Sequence, residues 1–152
     1  PAWFEPLFAA LDRSGIDYLK LSVTDHRFDP ADPTPPAPVV FNRVAMSSFL
    51  REPEHPVFYA TALLDHWRRA GAKVLNGPEV LAVDSSKARQ LSLISGLGHA
   101  VPDTRVVHRV ADLPSATEGM RWPLLVKANI GGSGAGIVRY NSREELERSI
   151  AD

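Results

Sequence analysis

The segment 123–140 constrains this chain most. An apolar run, Pro123-Leu124-Leu125-Val126, ends on Lys127; residues 131–136 then place four glycines in six positions, and Ile137-Val138-Arg139-Tyr140 follows. β-Branched, aliphatic and aromatic residues on both flanks read as two strands. The glycines let backbone N–H groups turn into one concavity. The expected shape is a glycine-rich hairpin that could lie over phosphate oxygens, with the Lys127 ammonium beside them. A plain flexible turn would need fewer glycines.

Three other glycine motifs do not fit. A P-loop carries its lysine after the last glycine, and here the lysine comes first. The dinucleotide fingerprint G-x-G-x-x-G fails because Gly132, Gly134 and Gly136 are spaced by two and a strand follows them. The serine elbow G-x-S-x-G fails because Ala135 stands where its second glycine belongs.

A second cation lies upstream. Asp84 or Ser85 is placed to cap a helix carrying Ala88, Leu91, Ile94 and Leu97, which puts Lys87 in its first turn. An ammonium there opposes the helix dipole by roughly 0.3–1 kcal/mol, a cost that a bound anion would reverse. Alone, such a lysine is more often solvated; with the glycine hairpin it suggests a phosphate site.

The rest of the chain supplies a frame. Phe4, Leu7, Phe8 and Leu11 share a helical face, and Gly15 ends it. Residues 17–23 read as a strand. Residues 25–38 hold five prolines and read as a loop. The strand Val39-Val40-Phe41 delivers Asn42 and Arg43 at its end. A helix starts at Pro56, carries Val57, Ala60, Leu64 and Trp67, and stops at Gly71. Residues 72–75 form a strand ending at Asn76-Gly77. Such alternation argues for α/β class with a parallel, doubly wound sheet. A further strand is expected over 104–107 and helix over 110–117. Ser142 and Glu145 form a capping box for a last helix.

Composition narrows the function classes. The formal charge of −1 offers no basic field for nucleic acid. The chain has no cysteine, which removes disulfides, thiolate metal sites and thiol nucleophiles and fits a reducing cytoplasm. The five histidines are scattered, with no H-E-x-x-H pair. No apolar run reaches the ~20 residues that span a bilayer, and no signal-peptide pattern opens the chain.

The order of these pieces resembles the ATP-grasp enzymes, nearest to the ribosomal-protein glutamate ligases among them. The matching residues are Asn42-Arg43, Val74-Leu75-Asn76, Ser86-Lys87-Ala88-Arg89-Gln90 and Val101-Pro102-Asp103-Thr104. They continue with Pro123-Leu124-Leu125-Val126-Lys127 and Gly131-Gly132-Ser133-Gly134-Ala135-Gly136-Ile137. The likeness covers residues 39–150 in outline. It implies a pre-ATP-grasp domain over 1–83 and the first ATP-binding subdomain, of α+β character, over 84–152. It implies that Lys87 and Lys127 contact ATP phosphates and that Gly131, Gly132, Ser133, Gly134, Ala135 and Gly136 close over them.

The implied reaction is ATP-dependent ligation of a carboxylate to an amine through an acyl phosphate, with glutamate one candidate substrate. Arg43 is the expected catalytic residue, facing a carboxylate or a transferring phosphoryl group; the other reading of it is a surface or interlobe salt bridge. The magnesium ligands and the adenine pocket are expected beyond residue 152, so the fold here is incomplete at its C-terminus and inactive alone. Such enzymes often dimerise or tetramerise. The pattern departs at Ala128-Asn129, where a proline often follows the strand lysine, and no first strand is visible before Trp3. Glu144, Glu145 and Glu147 read as helix-capping and solvated residues, not metal ligands. The other readings are a non-catalytic nucleotide-binding or regulatory module, and an α/β interaction domain with no ligand.

Overall fold

The computed structural model describes residues 2–50, 55–131, 134 and 136–151. Pro6 in the first turn opens α1 (Glu5–Arg13), and Gly15, at φ +63°, ends it. β1 (Val39–Phe41) follows the proline-rich loop and pairs in parallel with β2 (Lys73–Leu75), in the register Val39↔Lys73, Val40↔Val74, Phe41↔Leu75. Between them runs α2 (Pro56–Arg69), with proline at its start and His66, Arg68 and Arg69 in its last turn, where cations suit the dipole. This β–α–β unit is the parallel pairing expected from the sequence.

The core lies along α2. Val57, Ala60, Leu63, Leu64 and Trp67 are buried with Met46, Ala72 and Leu81, and Val40 and Val74 pack against them. The spacing of these α2 residues is one helical face, so the sequence pattern and the burial coincide.

Two expected strands are absent. Residues 17–23 form no ladder: Leu19 is 70% exposed, and the Tyr18 ring stacks on Phe8 at 5.4 Å. Lys20 lies 3.9 Å over the same Phe8 ring. The segment is drawn back onto α1 and away from any sheet. Residues 104–107 also lack a strand partner, and Val106 is 68% exposed. A strand is a pairing, and period-2 alternation cannot specify the partner. Among the described residues the parallel sheet therefore has two strands, and Val39, Phe41 and Leu75 remain exposed on its far face. Helices on both faces, as in a doubly wound sheet, are not seen among the described residues.

α3 (Pro78–Asp84) was not anticipated, although Pro78 at its first position and Glu79 in its first turn are start signals. α4 (Lys87–Gly96) follows after two residues. Its cap is Ser86, whose Oγ accepts from Arg89 N, rather than Asp84 or Ser85. Asp84 instead accepts from Met46 N at 2.8 Å, starting the short 3-10 turn Met46–Leu50. Within the expected 110–117 helix lie a 3-10 turn and α5 (Leu113–Ala116).

β3 (Leu124–Lys127) and β4 (Ile137–Tyr140) form the antiparallel hairpin expected around the glycine loop, with Lys127 opposite Ile137. α6 (Arg143–Ala151) packs on β4 and buries Leu146. Glu145 accepts from Asn141 N at 2.7 Å, one residue before the cap, and Ser142 Oγ accepts from Glu145 N at 3.3 Å. The Asn141 backbone N–H, and after it the Asn141 side-chain amide, hold the Glu145 carboxyl below its ordinary value.

Candidate functional site

The hairpin and α4 meet at the root of the glycine loop. Backbone pairing continues one step past β3, where Ala128 N donates to Gly136 O at 3.3 Å. Gly134 and Gly136 then take φ of +78° and +69°, values that a side chain disfavours. Of the expected loop residues, Gly131, Gly134 and Gly136 are described; Gly132, Ser133 and Ala135 lie outside the described residues.

Lys87 is half-buried against this root. Its Nζ donates to Ala128 O at 2.8 Å and to Gly131 O at 3.4 Å. An ammonium carries three donors, so one remains for another acceptor. Lys127 immediately precedes Ala128 and is exposed on the same hairpin face as Leu125. Its ammonium makes no hydrogen bond or ion pair among the described residues. Lys87 is thus anchored to the carbonyl of Ala128, the residue that follows Lys127 in the chain.

Sequence reasoning missed the residue that makes this junction. Asn129 O accepts from Lys87 N at 3.1 Å. Asn129 Oδ1 accepts from Ala88 N at 3.0 Å and from Ser86 Oγ at 3.0 Å. With Ser86 Oγ accepting from Arg89 N, the first three N–H groups of α4 are satisfied. The only local signal was an asparagine beside the strand lysine; its partners lie 41 to 43 residues away.

Arg43 lies elsewhere. It sits at the carboxyl end of the parallel strands, lining a crevice of about 240 Å³ with Asn42, Asn76, Val80 and Asp84. Ligands of open α/β sheets bind at such strand ends. Asn42 builds the floor: it is buried, its Nδ2 donates to Asn76 O at 2.9 Å and to Val44 O at 3.1 Å, and its Oδ1 accepts from Val44 N. The Arg43 guanidinium lies 5.2 Å over the Phe4 ring and 5.3 Å over Phe41. It makes no ion pair among the described residues, so its charge remains available to an anion. No hydrogen bond or ion pair among the described residues joins Arg43 to the glycine loop.

Among the described residues, no three histidine, aspartate or glutamate side chains converge on a metal-sized site. No helix of the described residues is long and apolar enough to cross a membrane.

The described residues thus form a mixed α/β fold: a parallel strand pair with its helix, followed by a helix docked on a glycine hairpin, with Lys87 at the hairpin root and Lys127 ending its first strand. Comparison with known proteins adds particular relatives. The chain is 30% identical over 91 residues, 59% of its length, to a protein of Shewanella frigidimarina named probable alpha-L-glutamate ligase 2. It is 33% identical over 94 residues to a probable alpha-L-glutamate ligase of Pseudomonas fluorescens, and 30% over 94 residues to one of Pseudomonas putida. The chain spans 30 to 31% of the length of these relatives. No family model matches it.

Proposed function

We propose that this chain is the phosphate-holding part of an ATP-dependent carboxylate–amine ligase of ATP-grasp type. The carrying observation is the Lys87 ammonium, held 2.8 Å from Ala128 O at the loop root, next to the exposed Lys127. Similarity to proteins named as glutamate ligases supports the class, with glutamate a candidate substrate.

The residues fit a polyphosphate. One Lys87 donor, the Lys127 ammonium and the loop N–H groups would supply positive charge on one side of it. Bound ATP supplies the phosphoryl group that turns a carboxylate into an acyl phosphate, from which an amine displaces phosphate. This chain's residues bind and orient the triphosphate and neutralise its charge. Arg43, in a separate crevice, is assigned to a substrate carboxylate, which its guanidinium can hold by two hydrogen bonds. The reading divides the chain into a first domain over 1–83 and an ATP-binding subdomain over 84–152, in an enzyme class expected in the cytoplasm.

The test is a titration of the full-length protein with ATP and magnesium, comparing wild type with Lys127→Ala. Losing one charge-assisted contact of roughly 1.5–3 kcal/mol weakens affinity about 10- to 100-fold. Equal affinity and equal ligation in the variant would sink the proposal.

A further inference from the structure

We propose that Asn129 is a positioning residue for the nucleotide site, capping α4 from a distant segment and so holding the Lys87 ammonium at the mouth of the glycine loop. The inference rests on the reading above and adds a residue to it.

α4 buries none of its residues, and Leu93, Ile94 and Leu97 stay exposed. A ten-residue helix is marginal alone, and α4 packs chiefly on α3 rather than on the hairpin. Its placement relative to the hairpin therefore depends on its N-terminal end. There Asn129 accepts three hydrogen bonds, two on Oδ1 and one on its carbonyl. The Lys87 side chain passes over the same residue to reach Ala128 O and Gly131 O on either side of it. Cap and cation are thus one structure: moving Asn129 off α4 also moves the carbonyls that aim Lys87.

The chemistry of the cap points the same way. An aspartate would accept the same bonds and would favour the positive end of the helix dipole. It would also set a carboxylate beside Lys87, competing with any phosphate for that ammonium. The neutral amide caps the helix and leaves the cation's charge for a ligand.

This separates the two roles experimentally. The full-length protein is compared as wild type, Asn129→Ala and Asn129→Asp, by thermal unfolding without nucleotide and by titration with ATP and magnesium. Asn129→Ala is expected to lower the thermal midpoint and weaken ATP binding about tenfold. Asn129→Asp is expected to keep the midpoint at or above wild type while ATP binding still weakens about tenfold, with the gap narrowing at high salt. If Asn129→Asp binds ATP like wild type, Asn129 is only a helix cap and the proposal fails. Unchanged binding by Asn129→Ala overturns it as well. In both cases wild-type binding leaves the ligase reading intact; failure of wild type itself to bind ATP removes the two together.

Discussion

The Lys87 ammonium donates to the Ala128 carbonyl at 2.8 Å, joining residues 41 positions apart in the chain. Lys127, bonded in sequence to Ala128, makes no such contact among the described residues. The two lysines therefore differ in what they do without ligand. Lys87→Ala is expected to weaken ATP binding and also lower the ligand-free thermal midpoint, because it strips the loop root of its cross-link. Lys127→Ala should weaken binding alone. Thermal unfolding with and without ATP reads both effects, and an equal ligand-free loss in the two variants would contradict the assignment.

Leu63 is 1% exposed and sits at the centre of the α2 core. Truncation leaves a cavity between α2 and its neighbours. Leu63→Ala should cost about 2–5 kcal/mol, read as a lower urea midpoint with little change in slope. A loss below about 1 kcal/mol would mean that this core relaxes around the gap.

How much of this was legible in the sequence depended on the range of each interaction. α2 was readable because Pro56, the Val57–Ala60–Leu64–Trp67 spacing and Gly71 all act within one segment. The hairpin was readable because the glycines and flanking strands are neighbours. Residues 17–23 misled because alternation says that a face exists, and Phe8 supplied that face in place of a strand. The join between Asn129 and α4 was invisible because its partners are more than 40 residues apart and neither side carries a distinctive motif. Lys87 itself was marked by its discord with the helix dipole. The carbonyls of Ala128 and Gly131 offset part of that discord, which sequence alone could not show.

Acid should loosen the end of the hairpin unit. Glu145 is held below its ordinary value of 4.5, first by the Asn141 backbone N–H and then by the Asn141 side chain. Glu144 is lowered too, chiefly by its hydrogen bond with Ser142. A carboxylate depressed in the folded state contributes stability above its unfolded value and loses it as pH falls through the folded value. Stability should therefore decline as pH falls below the ordinary glutamate value of 4.5, and Glu145→Gln should flatten part of that decline. Thermal midpoints across this range check it; identical slopes in wild type and variant would remove Glu145 from the account.

Arg43 offers the sharpest separation of the two proposed subsites. Its guanidinium rests against Phe4 and Phe41, so part of its side chain is packing and part is charge. Arg43→Met keeps much of the apolar contact and deletes the cation; Arg43→Ala deletes both. The charge is assigned to a carboxylate at the strand ends, away from the glycine loop, so ATP affinity should be unchanged in the methionine variant. The KM for the carboxylate substrate should rise about tenfold or more, matching the loss of a charge-assisted hydrogen bond. Arg43→Ala should show the same KM change together with a lower thermal midpoint. Steady-state kinetics of the full-length protein, varying ATP and carboxylate separately, distinguish these outcomes. A KM change confined to ATP would move Arg43 to the nucleotide site; no change in either would leave it as packing against Phe4 and Phe41.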